Sequence, residues 1–227
     1  MKEELMILTH PKSSVSEAIK TIRTNLQFSS VDEPIKSILL TSSISGEGKS
    51  FISSNLALAF AQSGIKVLLV DCDMRCGRIH TIFHLPNEKG LSNLLLDDIN
   101  KKTNSYIQKT EYDNLSVLTM GVVPPNPTEL LASEKNKKLT ELLEEKYDLV
   151  IYDGIPMLDL TDSLVMADLV DKIAVVCSYK QTPIELLKNT IKSLDKFRNK
   201  IAGVVVNKMP VSKNKYNHYY NRYYNEW

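Results

Sequence analysis

The sequence predicts an α/β fold: a parallel β-sheet flanked by helices in three layers, followed by a flexible C-terminal tail. Three observations carry the prediction: short apolar runs, helical patterns lying between them, and the loss of both after Val206. The runs are Ile38-Leu39-Leu40, Val67 to Val70, Val117-Leu118, Leu149 to Ile151, Ile173 to Val176 and Val204 to Val206. Strands that are apolar without interruption are those covered on both faces. Helical patterns are expected over residues 51–63, 90–97, 128–145, 160–168 and 184–197. Such alternation puts helices on both faces of a parallel sheet and the ligand beyond the strand carboxyl ends.

Ahead of the first strand, Val15, Ala18, Ile19, Ile22 and Leu26 recur at helical spacing. An amphipathic helix is therefore expected over residues 13–28, capped by Ser13 or Ser14. The segment from Gly121 to Glu129 is stiffened by Pro124, Pro125 and Pro127, and Pro127 suits the first turn of the next helix. Residues 1–207 read as one domain and residues 208–227 as the tail.

A length of 227 residues with 43% hydrophobic side chains is enough for one sizeable core. Lys plus Arg number 28 against 27 for Asp plus Glu, a formal charge of +1. That balance supplies no overall field to draw in nucleic acid or anionic lipid. Met1-Lys2-Glu3-Glu4 lacks the apolar core of a signal peptide, and no stretch approaches the roughly 20 apolar residues of a membrane span. A cytoplasmic protein is expected. Cys72, Cys76 and Cys177 form no four-ligand set and are expected as reduced thiols. His80 and His84 lack the acidic partner of a metalloprotease helix and are expected to be structural.

Five of the ten tyrosines, Tyr216, Tyr219, Tyr220, Tyr223 and Tyr224, crowd into one short stretch of the tail. Chance would place roughly 0.4 there, so the composition is selected. No aliphatic residue interrupts the stretch, and no period gives it a face to bury. It reads either as phenols on a tether that reaches an active site, or as a stacking surface for RNA.

The chemistry begins at Ser43-Ile44-Ser45-Gly46-Glu47-Gly48-Lys49-Ser50, between a strand and a helix. It matches a phosphate-binding loop except at Ser43, where glycine is usual. ATP is expected on Ser43, Ser45, Gly46, Glu47, Gly48, Lys49, Ser50 and Phe51. Gly46 and Gly48 let the backbone approach the phosphates, and loop N–H groups with the helix amino terminus supply donors. Lys49 should reach the β- and γ-phosphate oxygens, and the Ser50 hydroxyl should ligate Mg2+. Two acidic motifs, Val70-Asp71-Cys72-Asp73-Met74-Arg75 and Tyr152-Asp153-Gly154-Ile155-Pro156, also end apolar strands. Either alone could be a turn. Beside a phosphate loop they are expected to face the metal, because magnesium takes oxygen ligands and keeps several waters.

These residues resemble the bacterial tyrosine kinases of capsule and exopolysaccharide synthesis, in the cytoplasmic form whose membrane activator is a separate polypeptide. The resemblance runs from about residue 13 to the end. It rests on Gly48-Lys49-Ser50, on Asp71-x-Asp73-x-Arg75, on Asp153-x-x-Pro156, on Gly121-x-x-Pro124-Pro125-Asn126-Pro127-x-Glu129-Leu130-Leu131, and on the terminal tyrosines. Departures are Ser45, where these kinases often have proline, Tyr152 in place of an aliphatic residue, and Gly154-Ile155 ahead of Pro156.

The resemblance implies a P-loop NTPase fold and an ATP-dependent protein-tyrosine kinase. Such an enzyme phosphorylates its own terminal tyrosines between subunits and regulates polysaccharide synthesis and export. It further implies Asp71 as the base, Asp73 and Asp153 as holders of Mg2+ through its waters, and Arg75 as a stabiliser of phosphate charge or a structural ion pair. Asn207 resembles the adenine-reading amide of related ATPases. Glu17, Lys20 and Arg23 match a glutamate and two arginines used for head-to-tail contacts in a ring, with lysine replacing the first arginine. Implied partners are the cytoplasmic segment of a membrane-anchored activator, a cognate tyrosine phosphatase and protein substrates of polysaccharide synthesis, with no nucleic acid. The activator would bring the chain to the inner face of the membrane. Substitution of Lys49 or Asp71 is expected to abolish transfer and leave the fold intact.

Two rivals remain at this stage. A partitioning or septum-positioning ATPase usually carries a lysine where Ile44 stands and lacks a tyrosine cluster. A non-catalytic nucleotide-binding module has no use for an intact set of Lys49, Ser50, Asp71, Asp73 and Asp153.

Overall fold

A computed structural model describes residues 4–29, 34–157 and 162–210. Its strands are β1 (Ser37–Ser42), β2 (Val67–Asp71), β3 (Gln108–Lys109), β4 (Leu115–Leu118), β5 (Leu149–Pro156), β6 (Lys172–Ser178) and β7 (Ile201–Asn207). They form one sheet in the order β3-β4-β2-β5-β1-β6-β7, parallel at every junction except β3 with β4.

Successive side chains of a strand point to opposite faces, and both faces here are covered. Ile38 and Leu40 of β1, Val67 and Leu69 of β2, and Ile151 of β5 enter one core. Over it lie α1 (Met6–Thr9), α2 (Ser14–Gln27), α3 (Lys49–Gln62) and α4 (Ile79–Phe83). Leu39, Leu68, Val70, Val150 and Tyr152 enter the other core. That side is covered by α5 (Leu91–Leu96), α6 (Ile99–Tyr106), α7 (Pro127–Leu131), α8 (Glu134–Lys146), α9 (Asp162–Leu169) and α10 (Ile184–Ser193). Each fully buried aliphatic side chain contributes roughly 1.5–3 kcal/mol. The three expected layers follow. Gly154 lets β5 approach β1 closely, since a Cβ there would lie 2.7 Å from the Leu40 carbonyl oxygen.

The helix expected over 13–28 is α2, and its cap is Ser13, whose Oγ accepts the Ser16 N–H at 3.2 Å. The helix expected over 128–145 is two helices. Ser133 accepts the Asn136 N–H at 3.2 Å and starts α8 afresh after α7 has ended. The helix expected over 184–197 ends at Ser193, and a 3-10 segment, Asp195–Lys200, follows. The short elements α1, α4, α6 and β3 were not foreseen, because none is long enough to establish a clear period. Val204 to Val206 do not form a strand buried on both faces. β7 is an edge strand, with Val204 43% and Val206 47% exposed.

Cys72 and Cys177 are buried and Cys76 exposed, all three as free thiols. Among the described residues no helix is long and apolar enough to cross a membrane. Tyr216, Tyr219, Tyr220, Tyr223 and Tyr224 lie outside the described residues.

Candidate active site

The loop between β1 and α3 occupies the carboxyl end of a central strand, flanked by β5 and β6. Gly46 and Gly48 have φ of 80° and 93°, a left-handed backbone that residues with a Cβ rarely adopt. Gly48 is doubly constrained, because a Cβ would stand 2.1 Å from Asn207 Nδ2. Ser43, the departure from the usual glycine, is buried and accepts the Thr190 hydroxyl of α10 at 2.9 Å. Glu47 is buried as well. Its carboxylate accepts the Ile44 N–H at 2.9 Å and the hydroxyl of Thr182. Those bonds shape the loop and occupy Ile44, so the group that Glu47 offers a phosphate is its backbone N–H. Phe51 packs its ring on the core beneath α3 and likewise has only its backbone to offer. Ser45 and Gly46 are exposed, while Lys49 is 7% exposed at the first turn of α3.

Two aspartates from neighbouring strands meet beside this loop. Asp71 of β2 and Asp153 of β5 are register partners, and both are fully buried. Asp153 Oδ1 accepts the Ser53 hydroxyl at 3.0 Å, whereas Oδ2 has no hydrogen-bond partner among the described residues. Burial raises its pKa to about 6 even though Ser50, Lys49 and Ser53 favour the ionised form. Asp71 is also held well above the ordinary carboxylate range, first by burial and then by Asp153. Its two oxygens accept the backbone N–H groups of Asp73 at 3.2 Å and Ile79 at 3.1 Å. A Cβ on Gly77 would come within 2.5 Å of the same carboxylate. Asp71 thus also organises the turn that follows β2.

Asp73 Oδ1 accepts the N–H groups of Arg75 at 3.2 Å and Cys76 at 2.9 Å, fixing that turn. Arg75 is exposed, and its guanidinium donates to Thr128 Oγ1 at 3.3 Å, linking the turn to α7. Among the described residues, no three His, Cys, Asp or Glu side chains are placed to hold a metal together. The unpartnered Oδ2 of Asp153, beside Ser50 and Lys49, nevertheless suits a magnesium ion that keeps waters and takes phosphate oxygens.

Asn207 closes the far side. Its Nδ2 donates to the Glu47 carbonyl at 2.9 Å and its Oδ1 accepts the Lys208 N–H at 2.8 Å. An amide has two N–H groups and two lone pairs, so one of each is left for a base. Sequence reasoning missed Ser178, Thr182, Thr190 and Lys208, all of which grip the loop. The signal available was positional, since β6 and β7 end beside the loop. Away from this site, Lys20 pairs with Glu17 at 2.8 Å, and Arg23 donates to the Ala59 carbonyl at 3.1 Å.

Comparison with known proteins decides among the readings. The family described as AAA domain matches residues 35–204. CapB of Staphylococcus aureus is 42% identical over 95% of this chain and 94% of its own length. The tyrosine-protein kinase YwqD of Bacillus subtilis is 39% identical over 99% of this chain and 94% of its own. The chain belongs to the bacterial tyrosine-protein kinase family. Among solved structures, the chimerical protein CapA2B2 superposes with a TM-score of 0.87 at 38% identity, covering 92% of this chain and 91% of the other. The cell division ATPase MinD of Pyrococcus furiosus reaches a TM-score of 0.66 at 22% identity, a likeness of fold alone. The family assignment therefore outweighs the partitioning-ATPase rival, and the fold is that of a nucleotide-binding P-loop ATPase.

Proposed function

We propose that this chain is an ATP- and magnesium-dependent protein-tyrosine kinase acting in the synthesis and export of a capsule or exopolysaccharide. The observation that carries the reading is a single one. A phosphate loop with a buried lysine stands beside two register-paired buried aspartates, one of which keeps an oxygen without a hydrogen-bond partner among the described residues. Its relatives' names as tyrosine-protein kinases support the acceptor class.

The loop N–H groups and Lys49 hold the β- and γ-phosphates, and the Lys49 charge favours charge developing on the transferred group. Ser50, with Asp153 and Asp73, would hold magnesium, and the ion would supply positive charge to neutralise that of the phosphates. Asp71 serves as acceptor of the phenol proton. An ordinary carboxylate is far too weak a base to ionise a phenol of pKa about 10 beforehand. Proton transfer late in a loose transition state, as the phosphoryl group moves onto the phenol oxygen, makes placement of Asp71 matter more than its basicity. Arg75 stands on the same turn to stabilise phosphate charge. Asn207 offers its remaining amide hydrogen and lone pair to adenine.

The acceptors are Tyr216, Tyr219, Tyr220, Tyr223 and Tyr224 of a neighbouring subunit, together with proteins of polysaccharide synthesis. A ring held by Glu17, Lys20 and Arg23 would exchange their contacts within the subunit for contacts between subunits. A membrane protein's cytoplasmic segment would recruit and activate the chain in the cytoplasm, and a tyrosine phosphatase would reverse the modification. Purified protein incubated with ATP and magnesium, with and without such a segment, tests this. Phosphotyrosine that depends on Lys49 and increases with the segment is expected; ATP hydrolysis without phosphotyrosine in either condition would leave an ATPase only.

A further inference from the structure

Lys208 touches the phosphate loop from outside. Its Nζ donates to the Gly46 carbonyl at 2.7 Å and to Gln181 Oε1 at 3.1 Å, and its backbone is left-handed at φ 57°. The residue before it, Asn207, donates to the next carbonyl of the loop, that of Glu47, at 2.9 Å. Ser178 Oγ reaches the same carbonyl at 3.5 Å. Two consecutive loop carbonyls are thus pinned by two consecutive residues at the end of β7.

A trans peptide unit is planar, with its C=O and N–H pointing in opposite directions. Pinning the Gly46 carbonyl therefore aims the Glu47 N–H the other way, and pinning the Glu47 carbonyl aims the Gly48 N–H. Successive backbone N–H groups aimed together make an anion cradle. The Ile44 N–H is already taken by the Glu47 carboxylate, so these two amides weigh more in the donor set. Left-handed glycines turn easily, and without outside bonds the two peptides could flip their N–H groups away.

We infer that Lys208 is a positioning residue of the nucleotide site: it orients the Gly46–Glu47 peptide toward the phosphates and adds positive charge behind it. This rests on the reading of the loop as an ATP site. Loss of the contact acts on bound phosphate in the ground state and the transition state alike, so it should appear in affinity and KM rather than in kcat.

The experiment uses the full chain and its Lys208→Met and Lys208→Arg variants. Affinity is read by titration with a fluorescent ADP analogue, transfer by phosphotyrosine formation against ATP concentration, and folding by Tm. For Lys208→Met we expect affinity to fall about tenfold, KM for ATP to rise in parallel, and kcat and Tm to stay near wild type. Lys208→Arg, which keeps charge and donors, should recover most of the affinity. Wild-type affinity in Lys208→Met would overturn the inference, as would a loss confined to kcat. Equal loss in both variants with a lowered Tm would make the contact a structural brace only. Failure of the wild-type chain to bind the analogue at all would instead remove the ATP reading itself, and the inference with it.

Discussion

Asp71 and Asp153 face each other as register partners on adjacent parallel strands, with both carboxylates fully buried. Two acids so close and so dry disfavour each other's charge, and in the free protein this is a cost to folding. Their value lies in what they do once a cation and phosphates arrive.

Asp153→Asn should therefore remove a pH-dependent cost to folding of the nucleotide-free protein while destroying transfer. The folded-state pKa of Asp153 is raised to about 6, above its unfolded value. Its protonation thus favours the folded state below about pH 4 and that benefit is lost as pH rises through about 6. Between pH 5 and pH 8 the variant should gain on wild type by about 1 kcal/mol or more in stability, on top of a pH-independent cost for its buried amide. Thermal melts at the two pH values check this.

Lys49→Met and Asp71→Asn should part company. Lys49→Met is expected to remove phosphotransfer with little change in Tm. Asp71→Asn places an amide NH2 against the backbone N–H of either Asp73 or Ile79, both of which now donate to carboxylate oxygens. An unmatched buried donor costs about 1–3 kcal/mol, so this variant should lose Tm as well as activity. Side-by-side calorimetry of the two variants is the check, and an unchanged Tm for Asp71→Asn would contradict the structural role.

Much of this was legible beforehand. The placement of Ser43 to Ser50, Asp71 and Asp153 at neighbouring strand ends was readable because strand, loop and helix patterns agree around them. The edge position of β7 was not readable, since an apolar run such as Val204 to Val206 looks alike at the edge and in the middle of a sheet. Thr182, Thr190 and Lys208 were invisible for another reason. They meet the loop across more than a hundred residues of chain, and single polar side chains carry no period. The double role of Asp71 was hidden too, because a motif names a residue's chemistry but not the backbone groups it also holds.

The two loop glycines should differ. Gly46→Ala meets open space and incurs only the strain of φ 80°, about 1 kcal/mol. Gly48→Ala adds to that strain a Cβ 2.1 Å from Asn207 Nδ2, so Asn207 must move off the Glu47 carbonyl. Nucleotide titrations should show Gly48→Ala impaired at least tenfold more than Gly46→Ala, and equal impairment would count against the Asn207 clasp.

Tail modification should occur between subunits. Tyr216 stands at most about 30 Å of extended chain from Lys208, within reach of an adjoining molecule. Mixing a Lys49→Met protein that keeps its tail with an active protein lacking residues 211–227 should label the intact tail. An unlabelled tail in that mixture would rule out transfer between molecules.

The most direct test of the central claim is phosphotyrosine mass spectrometry on the purified chain, incubated with ATP and magnesium beside its Lys49→Met variant. A membrane activator's cytoplasmic segment is supplied to both. The account predicts phosphate on Tyr216, Tyr219, Tyr220, Tyr223 and Tyr224 in the wild type and none in the variant. Nucleotide turnover with no phosphotyrosine, or equal labelling of the two proteins, would contradict it.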